Sequence, residues 1–137
     1  MRKMSVKLGN NAGKIWVTLS THGPLTQSTL IKTAKLTKND FHTAIGWLAR
    51  ENKIYKEGEL YKLGETNLTN KIGEDAGKIW KLIDSHGEID ISSITKETKI
   101  TIYDAYSALG WLARENKIDG EKIRNNSTRL KFKLKYD

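Results

Sequence analysis

The sequence predicts an α+β fold, mainly helical, made of two tandem copies of one module: three helices and a β-hairpin. Three observations predict it. The chain of 137 residues repeats itself: Ala12-Gly13-Lys14-Ile15-Trp16 returns as Ala76-Gly77-Lys78-Ile79-Trp80, and Gly46 through Ile54 returns unchanged as Gly110 through Ile118, both at an offset of 64 residues. A unit this long, occurring twice, marks complete small domains rather than solenoid repeats of about 20–50 residues. Each copy also carries apolar residues at helical spacing, punctuated by the same stop signals. Each then ends in two short apolar runs around a polar turn. The expected division is 1–64 for the first copy, 65–73 for a linker and 74–137 for the second copy.

The first helix runs from Ala12 to about His22, with Ile15, Trp16 and Leu19 inward, and stops at Gly23, the residue suited to a left-handed C′ position. His86-Gly87 repeats this stop. Pro24-Leu25 and Glu88-Ile89 are short extended links. Thr26 and Asp90 are N-caps for a second helix with Leu30 and Ile94 in the core. Leu36 and Ile100 mark the turn that follows. Thr37-Lys38-Asn39-Asp40 and Thr101-Ile102-Tyr103-Asp104 place an acid three residues after a cap, which opens a third helix. That helix buries Phe41, Ala44, Ile45 and Leu48 and ends where Asn52 and Asn116 tolerate a left-handed conformation. Ile54-Tyr55 and Leu60 to Leu63 form the first hairpin; Ile118 to Lys135 form a longer one.

This order is that of a winged helix-turn-helix. The pattern Thr26/Leu30/Leu36/Thr37/Ile45/Leu48 and its counterpart Asp90/Ile94/Ile100/Thr101/Leu109/Leu112 carry the resemblance. The Ala-Gly-Lys-Ile-Trp and Gly-Trp-Leu-Ala-Arg-Glu-Asn-Lys-Ile strings resemble a narrower family of small prokaryotic (bacterial or archaeal) winged helix-turn-helix proteins. Members usually have one such domain, and the family's function is largely uncharacterised. The likeness implies a fold and leaves the activity to be read from the residues.

A domain of about 60 residues buries only about 60% of its unfolded surface, so each copy alone is marginal and a face shared between copies would matter. Gly46 and Gly110 fit either a close approach to DNA or a close helix crossing. Trp47 and Trp111 lie a half-step off the inward series, and burial under each copy's own wing is the expectation. Cysteine is absent, which excludes disulfides and thiolate chemistry. No nucleotide-binding loop, metalloprotease signature or nucleophile elbow occurs, and the acids are dispersed. A binding protein is expected rather than an enzyme, with no cofactor and no metal. The amino terminus has no apolar signal region and no stretch could span a bilayer, so no membrane partner is expected and the cytoplasm (nucleoid) is the expected location.

The net charge of +8 points to a polyanionic partner, double-stranded DNA first. Residues 1–70 carry 11 basic and 5 acidic side chains, and residues 71–137 carry 13 and 11. In a helix-turn-helix the third helix enters the major groove. The candidate DNA contacts are therefore Lys38, Asn39, His42, Thr43, Arg50, Lys53 and Lys56, with Arg114, Lys117, Arg124, Arg129 and Lys131 from the second copy. In that copy Tyr103, Tyr106 and Trp111 suggest a protein-contact surface instead, or stacking on unpaired RNA bases. Alternatively, the tyrosines refill volume lost where Phe41 becomes Ala105. The expected protein is a monomer, a small transcriptional regulator or chromosome-associated protein making mainly phosphate contacts. A linker of about 10 residues reaches at most about 33–36 Å, close to the roughly 34 Å of one DNA turn, so both modules would dock in neighbouring grooves.

Overall fold

Local signals set most of the helix boundaries. The computed structural model describes residues 4–123 and 126–135, with backbone only over 121–123 and 126–130. The first copy comprises α1 (Met4–His22), β1 (Leu25–Thr26), α2 (Gln27–Ala34), α3 (Lys38–Arg50), β2 (Ile54–Glu57) and β3 (Leu60–Leu63). The second comprises α4 (Thr69–His86), β4 (Glu88–Asp90), α5 (Ile91–Thr98), α6 (Ile102–Arg114), β5 (Ile118–Ile123) and β6 (Asn126–Leu134). The hydroxyls of Thr26, Thr37 and Thr101 and the carboxylate of Asp90 each accept the N–H three residues on, at 2.9–3.3 Å. Each such cap is worth about 1 kcal/mol. Asn52 and Asn116 take the left-handed conformation expected of them (φ 61° and 60°), and so do Lys35 and Lys99 at the ends of α2 and α5.

The extended links are strands. In each copy the wing hairpin gains a third member, giving antiparallel sheets ordered β1-β3-β2 and β4-β6-β5. Leu25 pairs with Tyr61, and Ile89 with Phe132. These pairings tie each wing to the helices of its own copy.

Three readings of the chain are corrected: Trp16, expected inward with Ile15 and Leu19, is 44% exposed, and two helix starts move. Helix α1 begins at Met4, two turns before Ala12, and α4 begins at Thr69, inside the segment read as linker. The reason is burial across the copies. Leu8 lies in the second copy's core with Ile79, Ile94 and Leu112, and Ile72 lies in the first copy's core with Ile15, Leu30 and Leu48. Each exchanged side chain contributes about 1.5–3 kcal/mol of burial, enough to override the weak helix propensity of Gly9-Asn10-Asn11. The connection shrinks to residues 64–68, so the copies are not beads on a flexible string.

Helices α3 and α6 pack directly on each other. A Cβ on Gly46 would overlap the carbonyl oxygen of Ser107, and one on Gly110 would overlap that of Thr43. These two contacts are equivalents at the 64-residue offset, so the copies are related by an approximate two-fold through the crossing. Trp47 and Trp111 flank it and each packs against both cores. Their rings also lie along their own copy's first helix, Trp47 at Gly9 and Trp111 at Gly73. The expected burial under the wing gives way to a role between the copies.

Gly46→Ala or Gly110→Ala should each lower the thermal midpoint, by a destabilisation of about 1–3 kcal/mol or more from overpacking. Gly13→Ala, whose Cβ would meet nothing within 4 Å, should be neutral or stabilise by up to about 1 kcal/mol. Equal effects at Gly13 and Gly46 in a calorimetric comparison would contradict the crossing.

Candidate nucleic-acid interface

Because α3 turns Phe41, Ala44, Ile45 and Leu48 into its own core, its opposite face carries Asn39, His42, Thr43, Gly46 and Arg50. In a helix-turn-helix that face reads DNA. Here it meets α6. Thr43 is only 7% exposed and donates its hydroxyl to the Asp40 carbonyl at 3.0 Å. His42 stacks on Tyr103 with ring centroids 4.8 Å apart and meets Phe41 edge-on at 5.1 Å. Its Nε2 is buried without a hydrogen-bond partner. Burial pushes the His42 imidazole down from 6.5 to about 4; Asp104 opposes this shift, and Lys38 and Lys56 add to it.

The arginines are also committed. Arg50 Nε donates to Glu115 at 3.0 Å, and its equivalent Arg114 donates to Glu51 at 2.9 Å. Each guanidinium lies over the other copy's tryptophan, Arg50 at 5.6 Å from the Trp111 centroid and Arg114 at 5.7 Å from Trp47. Lys53 and Lys117 close the same clusters through Glu51 (3.7 Å) and Glu115 (3.4 Å). Partly exposed pairs of this kind contribute about 0–1 kcal/mol each, so their main effect is to fix the register and cancel charge at the crossing.

The sequence-predicted contacts therefore separate into two groups. His42, Thr43, Arg50 and Arg114 lie in the interface between the copies, and the expectation that α3 enters a major groove is corrected: α6 occupies the space a groove would need. Lys38, Asn39, Lys53, Lys56 and Lys117 remain exposed, and Lys131 is half-buried in β6 opposite Asp90 and Glu121. The Lys38 ammonium is 5.6 Å from the Tyr103 ring centroid, and that of Lys56 is 5.6 Å from the Tyr61 centroid. Arg124 lies outside the described residues, as does the side chain of Arg129.

The proposed protein-contact set is similarly divided. Tyr103 is 37% exposed, but His42 already stacks on it. Tyr106 packs against the second core, beside the position where Ala105 replaces the bulk of Phe41. Burial, with Asp40 nearby, raises its hydroxyl pKa. Trp111 is spent between the cores. Sequence reasoning missed Glu51 and Glu115, although their place in the unchanged Gly-Trp-Leu-Ala-Arg-Glu string was the available signal. Among the described residues no three His, Asp or Glu side chains could hold a metal ion, and no helix is long and apolar enough to cross a membrane.

A three-helix unit closed by a three-stranded wing, present twice, defines a tandem winged-helix protein. The chain belongs to the winged helix-turn-helix domain family DUF2582, whose model matches residues 1–63 and again 67–132. It is 44% identical over 55 residues to the uncharacterised protein MJ1608 of Methanocaldococcus jannaschii, a match covering 38% of this chain and 77% of that protein. No solved structure matches.

The folded chain keeps His42 neutral down to about pH 4, whereas the unfolded chain takes up that proton near 6.5. The stability contributed by neutral His42 is thus present above about pH 6.5 and is lost as pH falls through 6.5 towards 4. Denaturant titrations across this window should show declining stability, and His42→Gln should flatten the decline. A His42 ring resonance titrating near 6.5 in the native protein would contradict this.

Proposed function

We propose that this protein binds duplex DNA, through phosphate contacts rather than base reading, as a chromosome-associated protein or small regulator in the nucleoid. The winged helix-turn-helix fold is in general consistent with DNA binding. One observation carries the finer reading: the faces of α3 and α6 that would enter grooves are packed on each other, and Arg50 and Arg114 are neutralised there by Glu115 and Glu51. The Arg50–Glu115 and Arg114–Glu51 pairs cancel their own charge, so the chain's net +8 comes from other residues, mostly lysine. A lysine ammonium is a flexible point charge suited to phosphates, whereas base discrimination favours planar forks in a groove. Lys38 and Lys56 are exposed members of this set, Lys53 and Lys117 are exposed but paired with Glu51 and Glu115, Lys131 is half-buried, and Arg124 and Arg129 add positive charge in the sequence. We read the protein as a binder, not an enzyme, acting as one monomeric unit.

Affinity for a random duplex should fall steeply with salt, with a log–log slope of about −5 if about 6 phosphates are neutralised. Duplexes of unrelated sequence should bind within a few-fold of one another, since the roughly 1–3 kcal/mol of discrimination from each good base contact is missing. Fluorescence anisotropy from about 50 to 300 mM salt measures both quantities. A flat salt response, or a hundredfold preference for one sequence, would overturn the reading.

A further inference from the structure

The positive charge is concentrated in two stretches without aspartate or glutamate: residues 1–39, with Arg2, Lys3, Lys7, Lys14, Lys32, Lys35 and Lys38, and residues 122–135, with six basic side chains. Most of the first stretch forms α1 and α2. The corresponding stretch of the second copy interleaves its lysines with Glu74, Asp75, Asp84, Glu88, Asp90 and Glu97. The two copies share the fold but not the charge of this stretch.

Between α1 and the end of α2 lies an open recess of about 560 Å³, lined by Gly13, Lys14, Val17, Thr33, Ala34 and Lys35. Gly13 leaves its floor bare, because a Cβ there would meet nothing within 4 Å. A glycine in mid-helix is unfavourable compared with alanine, and packing within the chain does not require it. Lys35 has φ 58° and ψ 50°, at a position glycine would occupy without strain. The described ion pairs engage Lys7, Lys53, Lys62, Lys71 and Lys117, and none of them involves Lys14, Lys32 or Lys35. The Thr33 hydroxyl adds a donor for an anionic oxygen.

We propose that the α1–α2 face of the first copy is the principal seat of the DNA backbone, with a phosphate in the Gly13 recess between Lys14 and Lys35 and Lys32 beside it. This rests on the duplex-binding reading above. It assigns contact to a surface that is neither a third helix nor a wing, and to one copy of the pair. The second copy's equivalent keeps the bare glycine and the three lysines (Gly77, Lys78, Lys96 and Lys99) but puts Glu97, a carboxylate that repels a phosphate, where the first copy has Thr33.

Anisotropy titrations of the full chain with a labelled random duplex test the assignment through charge reversals of equal size. K14E/K35E should weaken binding at least about tenfold more than K78E/K99E or K38E/K56E, because phosphate contacts, not net charge alone, are lost. K14Q/K35G guards against misfolding, since glycine suits the backbone at residue 35. It should fold at least as stably as the natural chain, yet lower the magnitude of the salt slope by about 2. If the natural chain binds duplex but K38E/K56E or K78E/K99E is the more damaging pair, the location is overturned while DNA binding stands. If the natural chain binds no duplex even at about 50 mM salt, DNA binding fails and the location with it.

Discussion

The close passage of α3 against α6 is the constraint on which the rest depends. Two backbones can approach this closely only where neither carries a side chain, and Gly46 and Gly110 meet that condition from both sides. Once the helices touch, the surrounding contacts follow as reciprocal pairs: arginine to glutamate, arginine over tryptophan, one copy's leucine or isoleucine into the other's core. The large terms are apolar burial and close packing. The ion pairs are small by comparison, and they select the register in which two nearly identical helices meet.

This constraint determines what chemistry the molecule offers. A winged helix normally presents its third helix outward, but here both copies turn that helix inward and balance its charge internally. The two marginal cores become one stable body. The cost is the loss of the groove-reading face, so any polyanion must be met elsewhere. Lysines and threonines on the first copy's outer helices are suited to that.

Much of the fold was legible because its signals are local. Thr26, Thr37, Asp90 and Thr101 announce their helices through a hydrogen bond to a residue three positions away, and Asn52 and Asn116 tolerate the conformation that ends α3 and α6. The left-handed Lys35 and Lys99 carry no such signal, since lysine has no preference for that region. The early starts of α1 and α4 were illegible for another reason: Leu8 and Ile72 are buried in the other copy's core, and no local pattern encodes a tertiary partner. The interface was harder still. Asn39, His42, Thr43, Gly46 and Arg50 form the same polar stripe whether the facing surface is a DNA groove or a second helix. The duplicated Arg-Glu pair was the clue, because an arginine bound for phosphate gains nothing from an adjacent acid kept in both copies.

The most direct test of this arrangement is a nuclear Overhauser measurement between α3 and α6, made with and without a saturating duplex. The account predicts cross-peaks between the ring protons of His42 and Tyr103, whose centroids lie 4.8 Å apart, and between Gly46 and Ser107. Both should persist when DNA is bound. Their absence in the free protein, or their disappearance on binding, would mean that the third helices part to meet a groove, and the account would be wrong.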